Sequence, residues 1–488
     1  MSIQTAWQAT FDFWDDLPIL VEPSQAQLSS DGGLLPLRQF DEQIGLTRQF
    51  AQALQDARAP GLITHSFLEM VRSRIYGILA AYEDQNDHDT LRYDPIFKLV
   101  ADRSPDADPL ASQPTLSRFE NAINIPSLKR LRDLFIEQFI SSFAVPPKHL
   151  TFDLDAVDDP AHGEQQLVLF HGYFDQYQYF PSFITCADND QTVVLSLRPG
   201  AVHAALGADD DLEYLVRRLH QAWPGVDIHV RGDAGYGMPW MYHVCERLSV
   251  DYTFGIAANN VLKKLSEPLL EQAQANFAAT GQPQRLFDAF WYRAGSWSTP
   301  RWVIVKAEAN AQGSNRRFIV SNRSGARIVP EAAYDDYAAR GESENRNKEL
   351  KCELKIDRTS DHRFLANFFR LYLHAAANNL LVRLRRAFAS PPPAPPVPTS
   401  LDPDNDDPVP TEALAGRARR CYFNRRRQAD PLGEGQPCTW RSLLIKVAAE
   451  VIVSSRRILV RLSASWPYLD WYRRLCAFLA SLRPISSG

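Results

Sequence analysis

No stretch of this 488-residue chain approaches the ~18 consecutive uncharged apolar residues of a membrane-spanning helix, so nothing in it is expected to cross a bilayer. Its start, MSIQTAWQATFDFWDDLPIL, lacks both the basic n-region and the unbroken apolar h-region of a secretory signal, and the cytoplasm is therefore the expected location. Cysteine is scarce. The six (Cys186, Cys245, Cys352, Cys421, Cys438 and Cys476) lie far apart with no C-x-x-C pair, which excludes a zinc ribbon and a disulfide framework and predicts reduced, mostly buried thiols. An excess of positive charge is also missing. The formal charge of −5 weighs against a protein that coats DNA nonspecifically, because release of counterions to Lys and Arg drives phosphate binding. Local basic surfaces remain open, since a whole-chain charge averages over domains. Neither a P-loop nor a G-x-S-x-G elbow occurs, and His162, His171, His203, His229 and His243 never form an H-x-x-x-H zinc pattern.

What is present is an ordinary globular composition, 45% apolar and 23% charged, in a length that admits about three domains of ~150 residues. Residues 1–145 show helical spacing in Phe67, Met70, Val71, Ile75, Ile78 and Leu79 and again in Leu128, Leu131, Leu134, Phe135 and Phe139; Asp31-Gly32-Gly33 reads as a tight turn. From Leu150 the texture becomes β-rich: LTFDLDAV, QLVLFHGYF, YFPSFITCAD and TVVLSLRPG, then a helix DLEYLVRRLHQAWP, the strand VDIHVRGDAGYG, a helix MPWMYHVCERL and the strand VDYTFGIA. This predicts an α/β layout with a mixed sheet and flanking helices over 146–259. Short alternating strands over 260–335 suggest a β-rich insertion, and 336–390 is predicted to be a long helical stretch from about Gly341. The Pro- and Asp-rich segment 391–410 reads as an exposed linker, and 411–488 as a basic helical region with SLLIKVAAEVIVSSRRILVRL as an amphipathic helix.

The acidic residues carry the chemistry. Asp153 and Asp155 lie two apart on one strand, so both leave the same face while Phe152 and Leu154 point into the core; carboxylates inside a strand call for a compensating cation. Asp233 stands at the carboxyl end of another apolar strand, where α/β sheets place ligand-binding groups, with Gly232 and Gly235 permitting a tight turn. Tyr337, Arg340, Glu344, Lys348, Lys351 and Lys355 are spaced to fall on one stripe of a helix, setting one acid in a ladder of cations suited to a metal beside a phosphate backbone. Three acids on two strands and a helix fit Mg²⁺, which takes oxygen ligands, and two such ions can clamp an in-line displacement at phosphorus.

At these residues the chain resembles the DDE transposases of bacterial insertion sequences that have an RNase H-like core, in the subgroup with the signature Y-x2-R-x3-E-x6-K, met here by Tyr337, Arg340, Glu344 and Lys351. Further similarity lies in SSDGGLLPLR, YGILAAYEDQNDHDTLRYDP, DLDAVDDPAHGEQ, LRPGAVHAA, VRGDAGYG, RGESENRNKELK and ANFFRLYLHAAANNLL. The resemblance implies an RNase H-like mixed sheet with a helical, DNA-binding or covering N-terminal region, the catalytic helix within 336–390, and a triad of Asp155, Asp233 and Glu344 as catalytic residues and ligands of two Mg²⁺ ions, with Mn²⁺ able to substitute. Asp155 takes the place of the Asp in the family's Asp-x-Thr pattern, from which the chain departs at Val157; Asp153 remains the alternative. The resemblance further implies DNA contacts by Tyr337, Arg340, Lys348 and Lys351, and stacking on a flipped base by a Trp of the insertion, Trp297 first and Trp302 second. Transposon-end and target DNA are the implied partners, in a synaptic homodimer without a membrane. A catalytically silent end-binding derivative and an RNase H-like nuclease without joining activity are the alternatives.

Overall fold

A computed structural model describes residues 8–11, 13, 17, 19–161, 163–324, 327–388, 430, 432–433, 435 and 436–482. The expected linker 391–410, the basic run at 416–427, Cys421 and His162 lie outside the described residues. At the centre is an eight-stranded mixed sheet, its strands numbered here along the chain: β1 (His149–Ala156), β2 (Ser182–Cys186), β3 (Thr192–Ser196), β4 (Asp227–Gly232), β5 (Asp251–Ile256), β6 (Gln284–Tyr292), β7 (Arg301–Asn310) and β8 (Gly313–Ser321). Their spatial order is β6-β7-β8-β5-β4-β1-β2-β3. The strands β1, β4 and β5 run parallel and every other pairing is antiparallel. Parallel neighbours need crossovers, and the helices α3 (Ala208–Ala222) and α4 (Pro239–Arg247) supply them.

One sheet face is apolar. Phe152 and Leu154 of β1 pack there with Leu212, Leu215 and Leu219 of α3 and Met241 and Cys245 of α4. The helix α2 (Ile125–Ser141) reaches the same core through Ile136 and Phe139, the latter ring 5.8 Å from Phe152. The opposite face carries Asp153 and Asp155, and over it lie α6 (Pro330–Ala338), α7 (Gly341–Lys348) and a π-helical turn, Glu349–Glu353. A second core gathers α1 (Phe67–Leu79), its neighbouring N-terminal helices and the 25-residue α8 (Phe364–Phe388). Within it Glu120 is fully buried between Arg74 (2.9 Å) and Arg370 (2.6 Å), so the charge removed from water is paired on both sides.

Three expectations are corrected by these elements. The segment QLVLFHGYF is absent from the main sheet; only Leu169–His171 is a strand, in a small sheet with Asp159–Pro160 and Gln176–Tyr179. The strands expected within 260–335 are β6, β7 and β8, and they extend the central sheet through β8 on β5, with α5 (Glu267–Thr280) packed against them. The amphipathic helix expected at 442–462 is a π-helical turn (Arg441–Ile445) and a hairpin of Ala449–Val453 and Ile458–Leu462, because Val451, Ile452, Val453, Ile458 and Val460 are β-branched and Ser454 closes the turn on Arg457. Of the described cysteines only Cys186 and Cys245 are buried; all five are free.

That hairpin adds Gln27–Ser29 as a third strand, clasping the C-terminal region to the N-terminal one. The Asp31-Gly32-Gly33 turn is the seat of the clasp: Gly32 N and Gly33 N donate to the Val447 and Ile445 carbonyls at 3.1 and 3.2 Å, and Lys446 Nζ sits 2.7 Å from the buried Asp31. A Cβ on Gly33 would stand 1.8 Å from the Leu444 carbonyl oxygen, so only glycine fits. Among the described residues no helix is long and apolar enough to cross a membrane.

Candidate active site

The two carboxylates of β1 have different surroundings. Asp153 is 1% exposed and fully engaged: Arg231 donates Nε and Nη2 at 2.8 and 3.0 Å, and Arg346 donates Nη1 at 2.8 Å. Arg346 also reaches Asp190 at 2.6 Å, so it ties α7 to both β1 and the turn after β2. Charges this deep are tolerated only with such pairing, and both oxygens of Asp153 are taken up by guanidinium donors.

Asp155, one step nearer the strand end, accepts from Asn347 Nδ2 at 2.6 Å and from Ser343 Oγ at 3.3 Å, with the Arg340 guanidinium at 4.0 Å. The register pairs Leu154 with Gly232 across β1 and β4, so Asp155 and Asp233 leave neighbouring parallel strands side by side. Burial pushes the Asp155 carboxyl up to about 6; Arg340 opposes the rise and the negative charge of Asp233 adds to it. Two like charges held together out of water are an arrangement that a cation relieves. Asp233 is fixed by its own turn, its Oδ1 accepting from Gly235 N at 2.8 Å.

Tyr337 lies in the last turn of α6, and its hydroxyl oxygen comes within 2.9 Å of where a Cβ on Gly255 would stand, so the missing side chain of Gly255 is what admits it. The Arg340 guanidinium lies 5.8 Å from the centre of the Tyr337 ring. Burial alone would lower the pKa of Arg340; Tyr337, Asp155 and Asp233 outweigh it and raise it, so the residue stays a cation. Its Nε is buried without a partner among the described residues. Beyond Arg340 opens a polar cleft of about 380 Å³ whose lining includes Lys306, Arg316, Arg317, Tyr334, Tyr337 and Glu344. Lys306 and Arg317 come from β7 and β8, which brings cations of the sheet extension to the edge of the acidic pair.

Several expected roles sit differently. The stripe from Tyr337 to Lys355 is carried by two short helices joined at Ala339–Arg340, followed by the π-helical turn, and Lys355 lies beyond it at a left-handed φ of 56°. Lys348 is exposed, whereas Lys351 Nζ is occupied by the Asp158 carboxylate at 2.9 Å and its carbonyl at 2.8 Å. Trp297 is 5% exposed, wedged between Tyr242 and Tyr292 with ring centres 5.3 and 5.5 Å away, and Trp302 is buried too, so neither presents a free face to a base. Trp291, paired opposite Trp302 in the β6–β7 ladder, is 65% exposed. The sequence pattern does not single out Trp291, Lys306, Arg317 or the Asp155 partner Ser343, and it gives the other partner, Asn347, no role; Ser343 and Asn347 stand four apart and flank the signature glutamate, which is the signal for them.

The donor set suits a hard cation: two adjacent carboxylates are what Mg²⁺ takes from a protein beside substrate phosphate oxygens. The third acid is not with them. Glu344 is exposed on the cleft side of α7, and among the described residues no three His, Cys, Asp or Glu side chains group closely enough to hold a metal.

The family model for transposase DDE domain group 1 matches residues 13–393, so the chain belongs to the DDE transposases. No curated protein sequence matches it. Among solved structures it is similar to the piggyBac transposase synaptic complex with hairpin DNA, at 13% identity and a TM-score of 0.39, over 74% of this chain and 77% of that one.

Proposed function

We propose that this transposase binds terminal inverted repeats, pairs two transposon ends in a homodimeric synapse, cleaves them and joins the 3′ ends to target DNA by metal-dependent phosphoryl transfer in an RNase H-like core. The observation that carries the reading is the Asp155–Asp233 pair on parallel strands beneath Arg340, at the edge of a cleft lined by Lys306 and Arg317. The order β3-β2-β1-β4-β5, with the acids at the carboxyl ends of β1 and β4, supports the RNase H-like assignment.

Two Mg²⁺ ions, or Mn²⁺ in their place, held by Asp155, Asp233 and Glu344, would activate the attacking water or 3′-hydroxyl and stabilise the leaving oxygen. The protein's own part is positioning and charge. Arg340, kept cationic and with an Nε that has no partner among the described residues, neutralises a phosphate oxygen beside the acids. Tyr337 offers its hydroxyl over Gly255 to the adjoining phosphate, and Lys306, Arg317 and the exposed Lys348 line the path of the backbone; Lys351 joins them on leaving Asp158. Trp291 supplies the exposed aromatic face for an unstacked base at the cut end.

The test uses duplex DNA carrying the inverted repeats that flank the gene, with Mg²⁺. Asp155→Ala, Asp233→Ala and Glu344→Ala are each expected to abolish cleavage and joining while retaining binding to the repeats. Cleavage by any one of them at the wild-type rate removes that residue from the triad.

A further inference from the structure

The helix that bears Glu344 has no apolar residue with which to grip the sheet; α7 reads Gly-Glu-Ser-Glu-Asn-Arg-Asn-Lys. Its rotation about its own axis is therefore set by polar contacts: Arg346 to Asp153 and Asp190, and Ser343 and Asn347 to Asp155. Ser343 and Asn347 lie four residues apart, on one stripe, and that stripe is the one facing the acids. Glu344 is one residue further on, about 100° round a helix of 3.6 residues per turn, and faces the cleft instead.

Directly after α7 comes the π-helical turn Glu349–Glu353, closed by Leu354 N to the Glu349 carbonyl. A π turn holds one residue more than the α-helical turn it replaces. If the downstream chain stays fixed and this turn becomes α-helical, each residue of α7 moves into the place of the residue before it. Glu344 then occupies the present place of Ser343, against Asp155. The movement drives α7 about 1.5 Å toward its N-terminus. The junction upstream can absorb it: Arg340 N to Tyr337 O and Ser343 N to Arg340 O are three-residue bonds, and three residues passing from the 3₁₀ rise to the α rise shorten by about 1.5 Å.

We propose that the π-helical turn stores the one-residue displacement that carries Glu344 to Asp155 and Asp233, and that Arg346 is the positioning residue that holds the helix in the register seen here. This rests on Glu344 being the third metal ligand, as in the function proposed above. Hydrogen bonds from Ser343 and Asn347 occupy Asp155 in the present register; the displacement puts Glu344 in the place of Ser343 and Lys348 in that of Asn347.

Binding of Mn²⁺ alone to the full-length protein, followed by the loss of the free-ion electron paramagnetic resonance signal, tests this without reference to activity. Deleting Cys352, an exposed residue of the π turn, removes the stored residue and leaves α7 where it is. Deletion of Cys352 and Glu344→Gln are each expected to weaken Mn²⁺ binding by at least the ~10-fold that loss of a supporting residue produces, with no further loss on combining them. In the shortened chain, Ser343→Glu together with Glu344→Gln moves the carboxylate onto the facing stripe and restores binding. That rescue also shows that the shortened chain is folded. Wild-type affinity in the shortened chain, with Glu344→Gln weakened, overturns the register change alone, as does failure of the rescue in a chain that melts like the wild type. Wild-type affinity in Glu344→Gln overturns both the register change and the assignment of Glu344.

Discussion

Replacing Asp155 by Asn should make the metal-free protein more stable. The side chain is 17% exposed, and its carboxyl titrates near 6 when folded against an ordinary value of 3.8. Between those values the folded protein holds a proton that the unfolded chain has released, so stability falls as pH rises through the window, by about 1.4 kcal/mol per pH unit. Above it the ionised carboxylate leaves the fold about 3 kcal/mol less stable than with an uncharged group. Asn removes the charge and keeps an oxygen to accept from Asn347, but forfeits the attraction to Arg340 at 4.0 Å and the hydrogen bond from Ala156 N at 3.1 Å. With ~2.1 cal/mol/K of unfolding entropy per residue, 3 kcal/mol in a chain of 488 residues is a shift of about 3 °C. Melting in EDTA from pH 5 to pH 8 should show Asp155→Asn above the wild type by that amount at pH 8 and by about half at pH 5. Saturating Mg²⁺ should raise the wild type and leave the variant nearly unmoved. A variant that melts lower at pH 8, or a gap that does not change with pH, would refute the reasoning.

Asp153→Asn is expected to act in the opposite sense, destabilising by roughly 3–5 kcal/mol because Arg231 and Arg346 lose the charge that pairs them; denaturant titration measures it. Gly33→Ala should free the C-terminal hairpin, seen as protease cleavage between the regions and a lower melting temperature, since its Cβ meets the Leu444 carbonyl; unchanged protection would count against the clasp. Trp297→Ala should cost about 3–5 kcal/mol as a core truncation, while Trp291→Ala stays within about 0.5 kcal/mol and instead slows processing of the DNA end. Removing Arg317 should lower the slope of log affinity against log salt for repeat DNA by about 0.9, and an unaltered slope would take it off the phosphate path.

What could be read in advance was whatever local pattern determines. The alternation in LTFDLDAV and the apolar run before Gly232 gave strands β1 and β4, and their ends bring Asp155 and Asp233 together as the strand-end argument requires. The i, i+2 relation of Asp153 and Asp155 put both on one face but could not rank them, because the arginines that consume Asp153 lie 78 and 193 residues away. Spacing over 337–355 assumed an unbroken helix; a π turn leaves no mark in a count of threes and fours, and it takes Lys355 off the stripe. Trp297 follows the last residue of β6 by five, in a connection where no periodicity assigns a face, and its ring folds back onto Tyr242 and Tyr292. The Leu443–Leu462 stretch satisfies helical spacing, and only the weight of Val and Ile around Ser-Ser-Arg-Arg separates hairpin from helix.

The clasp between the Asp31-Gly32-Gly33 turn and residues 444–447 has a consequence for biosynthesis. Ribosomes add about 5–20 residues per second, so this turn waits roughly 20–80 s for the segment that covers it. Throughout that interval the nascent N-terminal helices present Leu34 and Leu37, fully buried in the finished protein, with one side of their packing absent. Closure of the clasp is thus a late event in making the molecule, and a chain truncated before residue 444 would be left with its oldest helices incompletely covered.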